Sequence, residues 1–115
     1  MAEGCLFCKI ASGELESSIV YEDDLCVAFH DINPQAPTHV LVIPRKHIPG
    51  MGELEESDRD LLGHLMLIAS EIAWMEGIDE AGFRTVINWG HDGGMEVPHL
   101  HLHVLGGRTM SWPPG

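Results

Sequence analysis

Short runs of β-branched, aromatic and aliphatic residues, separated by turn residues, predict five β-strands. The predicted strands cover residues 19–21, 25–29, 39–43, 83–88 and 100–105. The first two flank an acidic turn at residues 22–24, a pattern typical of an antiparallel hairpin. Pro34 and Pro37 predict a loop before the third strand, because proline disfavours helix in the residue that precedes it.

One long segment, residues 57–75, instead has the spacing of an amphipathic helix. Its apolar residues recur at intervals of four, three and four and share one face: Leu61, Leu65, Ile68 and Ile72. We expect Ser57 to be its N-cap and Gly77 to end it. A shorter helix is expected at residues 5–11. Runs of strands with one main helix between them indicate an α+β domain built on an antiparallel sheet.

Composition limits the size and the partners of this domain. A chain of 115 residues, 44% of them hydrophobic, suits one domain over residues 1–115. Six Lys and Arg against 18 Asp and Glu give a net charge of −12, which argues against duplex nucleic acid as a partner. No apolar run approaches the length of a membrane span and no signal peptide begins the chain, so we expect a soluble cytoplasmic protein.

The segment "PHLHLHVLGG" (residues 98–107) alternates histidines with aliphatic residues. In a strand, His99, His101 and His103 share one face at a repeat of about 6–7 Å, and the leucines face the core. Imidazoles that close disfavour one another's protonation, so the middle ring is expected to be neutral at pH 7 and able to attack phosphorus. Zinc chelation by His-x-His and a purely structural role remain alternatives that spacing does not separate.

Glycines lie immediately upstream of this segment, at residues 90–94. They would allow backbone N–H groups to converge on an anion, although an ordinary tight turn uses glycine in the same way. Together with the histidines, the glycine loop suggests phosphate chemistry.

Three segments of the chain resemble the histidine triad (HIT) superfamily. "PHLHLHVLGGR" resembles its His-x-His-x-His signature, while "AFHDINPQAPTHVLVIPRKHI" and "LGGRTMSWPPG" are similar to its nucleotide-binding (Hint) branch. The resemblance implies a HIT fold, with a five-stranded antiparallel sheet, one long and one short helix, and assembly as a homodimer. It also implies hydrolysis of purine nucleoside 5′-phosphoramidates, of AMP or GMP type, to the nucleoside monophosphate and an amine.

The same resemblance implies a role for individual residues. His101 corresponds to the nucleophile that forms a nucleotidyl-histidine intermediate, which is covalent catalysis, while His103 contacts the α-phosphate and His39 supports the site. Asp31 corresponds to a ribose-binding carboxylate. The implied base pocket consists of Leu6, Phe7, Ile10, Leu15, Phe29, His30 and Ile32. The implied phosphate-side contacts are Asn88, Gly94, Met95 and Glu96.

A second group of residues suggests a metal. Cys5-x-x-Cys8 by itself is compatible with zinc, with a redox pair, or with neither. The resemblance implies a structural zinc held by these two cysteines together with His47 and His99. Two thiolates and two imidazoles form a closed tetrahedral site. No organic cofactor is implied.

The chain departs from the family at Met95, where members usually have glutamine, and at Glu96, where animal members have serine. A thioether does not donate a hydrogen bond, and a carboxylate repels a nearby phosphate. A weakly active purine-nucleotide-binding or protein-interaction module is therefore an alternative to the hydrolase. A third interpretation places a catalytic zinc on the histidine strand.

Overall fold

A five-stranded antiparallel sheet carries one α-helix on each of its faces. The structure, a computed structural model, describes residues 4–115. Its helices and strands are α1 (Leu6–Ser12), β1 (Ile19–Glu22), β2 (Cys26–His30), β3 (Thr38–Pro44), α2 (Arg59–Met75), β4 (Phe83–Val86) and β5 (Leu102–Gly106). The strand order is β1-β2-β3-β5-β4. These elements confirm the predicted α+β fold with one long and one short helix.

The alternation of side chains in β3 assigns the two faces of the sheet. Val40 and Val42 pack in a core cluster with the apolar face of α2. Leu41 and Ile43 point the other way and pack against α1. The predicted aliphatic face of the last strand is also confirmed, since Leu102 and the other aliphatic residues of that face join the α2 cluster. The histidines of the signature therefore lie on the α1 side.

Helix α2 begins two residues later than predicted, and Ser57 is not its N-cap. Ser57 lies inside a 3-10 turn at Glu56–Asp58 that precedes the helix. Asp58, almost fully buried, accepts a hydrogen bond from the backbone N–H of Glu55 at 3.0 Å and pairs with Lys46 at 2.6 Å. These bonds stabilise the 3-10 turn and displace the helix start. Gly77, with φ +73°, ends the helix as predicted.

The strand prediction is wrong by two residues at two boundaries, and the other strand ends differ by at most one residue. Strand β4 ends at Val86 instead of residue 88, and β5 begins at Leu102 instead of residue 100. Before β5 the chain is bent, since the His99 N–H bonds to the Val97 carbonyl at 2.8 Å. Consequently His99 and His101 precede the strand. The rings of His101 and His103 lie 4.9 Å apart between centroids, closer than the predicted strand repeat.

Within residues 4–115, no helix is long and apolar enough to cross a membrane.

Asp23 ties the β1–β2 hairpin to helix α2. Its carboxylate accepts hydrogen bonds from the Tyr21 hydroxyl at 2.7 Å, from the backbone N–H groups of Leu25 and Cys26 at 2.8 Å, and from His64 Nε2 at 2.6 Å. Burial favours the neutral acid, but these hydrogen bonds hold the pKa of Asp23 well below its usual range.

We expect Asp23→Asn to lower the free energy of unfolding at pH 7 by about 1 kcal/mol or more, because several hydrogen bonds to a carboxylate are lost. A carboxylate with a lowered folded-state pKa stabilises the fold above its unfolded pKa of about 3.9, and this contribution is lost as pH falls through the folded-state pKa. Urea unfolding should therefore show that the wild type and Asp23→Asn differ in free energy of unfolding at pH 7, and that this difference becomes smaller below about pH 4.

Asp24→Asn is the matched control for this charge change, since Asp24 is the exposed neighbour of Asp23. If the free energies of unfolding of the wild type and Asp23→Asn differed by the same amount at pH 7 and pH 3, the stabilising role of the Asp23 carboxylate would be contradicted.

Candidate active site

A pocket of about 690 Å³ lies on the α1 side of the sheet. Its volume is in the range of small-molecule sites, roughly 300–1,000 Å³. The apolar side chains that line it are Leu6, Phe7, Ile10, Leu15, Phe29, Ile32, Leu41 and Val97. The rings of Phe7 and Phe29 pack edge to face with centroids 5.5 Å apart, and both side chains are buried. This end of the pocket is an apolar slot with a buried aromatic wall.

The other end of the pocket is polar. The lining residues there include Asp31, His39, Asn88, Gly94, Glu96, His101 and His103, with His30 beside Asp31. Strands β3 and β5 are neighbours, with Leu41 opposite His103, and this register brings His39 and His103 together. The structure thus collects in one pocket all the residues that the sequence proposed for substrate binding and catalysis, with Met95 as the exception.

Met95 does not line the pocket. Its sulphur lies 3.4 Å from the position that a Cβ would take on Gly50, in a neighbouring loop. Trp89 packs against the same loop, so closely that a Cβ on Gly52 would lie 2.2 Å from its ring. Of the glycine-rich loop at residues 90–94, only Gly94 lines the pocket. Gly93 is exposed and Gly90 is half-buried, and neither lines the pocket, which favours the ordinary turn.

His101 is buried, with 7% of its surface exposed. Its Nδ1 lies 2.7 Å from the carbonyl oxygen of His99, so Nδ1 carries the proton and donates it to that oxygen. In the neutral ring, Nε2 is then the unprotonated, nucleophilic nitrogen. The Phe7 ring packs against the imidazole with centroids 5.1 Å apart and restricts its orientation. His101 is therefore an oriented imidazole at the polar end of the pocket.

A chain of hydrogen bonds fixes the tautomers of His39 and His103. The backbone N–H of Gln35 donates to His39 Nδ1 at 3.0 Å, so the proton of the neutral His39 ring is on Nε2. His39 Nε2 donates to His103 Nδ1 at 2.8 Å. The proton of His103 is consequently on its own Nε2. This buried atom has no hydrogen-bond partner within residues 4–115, so it is a donor available to a ligand.

Burial keeps both of these rings neutral. It lowers the pKa of His39, although the carboxylate of Asp31, 3.5 Å away, acts in the opposite direction. Burial, followed by the neighbouring imidazoles of His101 and His39, lowers the pKa of His103 to about 4. Neutral rings at pH 7 are what the hydrogen-bond chain requires, since each ring must both accept and donate.

A second cluster brings together the four residues proposed as metal ligands. One ligand atom each of Cys5, Cys8, His47 and His99 lies within 4.8 Å of the others. Cys5 Sγ is 3.4 Å and Cys8 Sγ 3.6 Å from His99 Nδ1, while Cys8 Sγ is 3.3 Å from His47 Nδ1. The Nδ1 atoms of His47 and His99 are 3.2 Å apart.

These separations fit a tetrahedral zinc site. Bond lengths of about 2.3 Å to sulphur and 2.0–2.1 Å to nitrogen place S and N about 3.6 Å apart and two nitrogens about 3.3 Å apart. His99 Nε2 donates to the Pro44 carbonyl at 2.8 Å, which leaves the Nδ1 lone pair directed at the cluster. Burial lowers the pKa of His99 to about 4, so the ring is neutral as a ligand must be.

The histidines of the signature therefore divide between two sites. His99 belongs to the cysteine cluster, whereas His101 and His103 line the pocket. The three imidazoles do not converge on one point, which argues against a catalytic zinc held by the whole triad. Asp31, His39 and His103 are also near one another, but the 2.8 Å contact between the two rings is that of a direct hydrogen bond.

Several pocket residues were missed from the sequence: Glu16, Ser17, Asn33, Gln35, Leu41 and Val97. Leu41 and Val97 look like ordinary core residues, and the loop residues carry no motif of their own. Gln35 acts through its backbone N–H, which no pattern of side chains reveals. Only its position four residues before His39 in a proline-bounded loop could have drawn attention to it.

Fold and pocket together define a class: an α+β domain with a histidine-lined ligand pocket on one face of an antiparallel sheet. The HIT domain family matches residues 12–110, and the chain belongs to this family. An uncharacterized HIT-like protein of Synechocystis is 56% identical over the full length of both chains. The crystal structure of a HIT family hydrolase from Legionella pneumophila is 51% identical, with a TM-score of 0.96 over 97% of this chain and 100% of that chain. A histidine triad protein from Clostridium difficile is 44% identical, with a TM-score of 0.93 over 96% of each chain.

Proposed function

We propose that this protein hydrolyses purine nucleoside 5′-phosphoramidates to the nucleoside monophosphate and an amine. One observation carries the proposal: beside the nucleophilic Nε2 of His101, the N–H of His103 is a buried donor without a partner within residues 4–115. A phosphate oxygen would satisfy this donor while its phosphorus faces His101. Membership of the HIT family and similarity to HIT family hydrolases support the same chemistry.

The proposed reaction proceeds in two displacements at the α-phosphorus. First, the Nε2 lone pair of His101 forms a P–N bond while the bond from phosphorus to the amine breaks, and the departing amine takes up a proton. In the second displacement a water oxygen attacks phosphorus, the bond to His101 breaks, and the water loses a proton. The His103 N–H stabilises the negative oxygens through both steps.

The remainder of the pocket suits a purine nucleoside. The slot beside Phe7, Ile10 and Phe29 offers apolar surface to a planar base. Asp31 can accept hydrogen bonds from the two ribose hydroxyls, because its Oδ1 is oriented by the backbone N–H of Asn33 at 2.8 Å. Asn88 and Gly94 also line the pocket, and we assign them contacts with the phosphate.

The first experiment measures, by chromatography, the release of AMP from an adenosine 5′-phosphoramidate of a simple primary amine. AMP release supports the hydrolase, whereas AMP binding without release would favour the weakly active nucleotide-binding module. Met95 motivated that second interpretation, and its side chain lies outside the pocket. We therefore favour the hydrolase over the weakly active nucleotide-binding module.

We also propose that zinc occupies the cluster of Cys5, Cys8, His47 and His99 in a structural role. All four protein ligands are present, so the site is closed and the ion offers no open position for a substrate. When bound, it supplies a cross-link between α1 and the segments that carry the two histidines. Through His99 it would also hold the chain two residues before His101.

A homodimer is the assembly that we propose. Apolar side chains on the outer face of α2 are exposed, with Trp74 exposed to 71%, and Met66 and Leu67 to 59% and 67%. Strand β4 is at the edge of the sheet, paired only with β5, and Phe83 is partly exposed there. Exposed apolar side chains and a free strand edge are each typical of an interface.

Analytical ultracentrifugation should show a dimer that Leu67→Glu converts to monomer, because the glutamate would be desolvated at the interface. Leu25→Glu, which alters another exposed leucine in the β1–β2 turn, should remain dimeric. A wild-type protein that sediments as a monomer at micromolar concentration would exclude this assembly.

A further inference from the structure

The pocket of the proposed function has carboxylates but no permanent cation. Among the described residues that line it, the acidic side chains are Glu16, Asp31 and Glu96, and the basic ones are all imidazoles. No lysine or arginine of residues 4–115 lines it. Several of these cations are paired elsewhere, such as Arg45 with Glu22 at 3.0 Å. Charge in this pocket therefore acts against any additional negative group on the ligand.

The three carboxylates come from different segments of the pocket lining. Glu16 follows α1 and neighbours Leu15 at the apolar end. Asp31 is held by the Asn33 N–H close to His39. Glu96 lies between Gly94 and Val97, in the segment that leads into the triad, and its side chain is exposed. Within residues 4–115 it forms no hydrogen bond or ion pair, so its charge is available to a ligand.

The depth of His101 sets the direction in which the amine leaves. His101 is buried at the floor of the pocket, whereas Glu96 is at the solvent side. In an in-line displacement the leaving group departs opposite the attacking atom. Attack from the buried side thus directs the amine, with whatever is attached to it, towards the solvent-exposed side of the pocket, to which the exposed side chain of Glu96 belongs.

We infer that Glu96 selects the leaving group by charge, favouring amines that carry a second positive charge and disfavouring amines that carry a carboxylate. The inference rests on the proposed function and names the substrate class of the same site. A carboxylate attracts an ammonium group and repels a second carboxylate, and at a solvent-exposed position both effects are moderate. The net charge of −12 adds to the repulsion of an anionic leaving group.

The test compares three adenosine 5′-phosphoramidates of similar length, formed from 1,4-diaminobutane, butylamine and 4-aminobutanoate. The wild type should hydrolyse the cationic compound with a kcat/KM about two- to fivefold above the neutral one, and the anionic compound more slowly than the neutral one. Glu96→Gln should bring these ratios close to one. The ratios are measured within each protein, so a difference in folded fraction cancels.

Asp92→Asn is the matched control, because it removes the same charge from an exposed residue of the nearby glycine-rich loop that does not line the pocket, and it should retain the wild-type ratios. High salt should reduce the ratios in the wild type. Equal kcat/KM values for all three compounds, or ratios unchanged in Glu96→Gln, would overturn the inference while leaving the hydrolase in place. Absence of AMP release from every compound would overturn the proposed function and this inference with it.

Discussion

Replacing His101 with alanine is expected to reduce release of AMP from an adenosine 5′-phosphoramidate by on the order of 10⁴-fold or more. The substitution removes the nitrogen that forms the proposed bond to phosphorus, while the His103 donor and the apolar slot remain. The variant should still bind AMP. A loss confined to turnover would distinguish a nucleophile from a residue that merely shapes the pocket.

His91→Ala is the control for the loss of an imidazole, because His91 is fully exposed in the glycine-rich loop and contacts Asp92. It should retain wild-type turnover. In the wild type, rapid quenching in alkaline denaturant, which preserves a phosphorus–nitrogen bond, followed by mass spectrometry should detect a nucleotidyl adduct on the peptide that contains His101. Turnover by His101→Ala within tenfold of the wild type would exclude the covalent mechanism.

Removal of zinc is expected to have the largest effect on stability. The wild type should contain about one zinc per chain, and chelation should lower its free energy of unfolding by about 4 kcal/mol where free zinc had been a thousandfold above its dissociation constant. The physical reason is that zinc binds the folded cluster, in which α1, His47 and His99 converge, and not the separated ligands of the unfolded chain.

Cys8→Ala tests the same site by substitution. Cys8 is buried on α1, and alanine is well tolerated in a helix, so the loss of stability should reflect the lost ligand. The variant should contain no zinc and should not respond to chelator. Cys26→Ala, a change at the buried cysteine of β2, should retain both zinc and the chelator response. A wild type purified from zinc-containing medium without bound metal would refute the site.

His101→Ala and Cys8→Ala together test whether the pocket and the cysteine cluster are separate sites. His101→Ala is expected to lose turnover and retain zinc, whereas Cys8→Ala is expected to lose zinc and be less stable. His99 connects the sites through its carbonyl, which accepts from His101 Nδ1, and through its ring in the cysteine cluster. Partial loss of turnover in Cys8→Ala would therefore show how strongly the cluster orients the nucleophile.

Most of the fold could be predicted from local pattern. The spacing of Leu65, Ile68 and Ile72 gave the face of α2, and all three are buried against the sheet. The alternation of aliphatic residues with histidines gave the two faces of the last strand. These patterns follow from the fixed periods of helix and strand, which depend only on neighbouring residues. The resemblance to HIT proteins contributed the individual site residues, which periodicity does not provide.

The sequence by itself determined the fold class, the faces of the elements and the residue types available for chemistry. Only the tertiary structure decided that the chain bends at His99, so that His99 and His101 precede β5, and that Met95 lies against the Gly50 loop outside the pocket. It also decided that Gln35 fixes the tautomers of His39 and His103 through a backbone N–H. These features depend on contacts between segments that are distant in the chain, or on backbone atoms. Such contacts produce no periodic pattern of residues in the sequence.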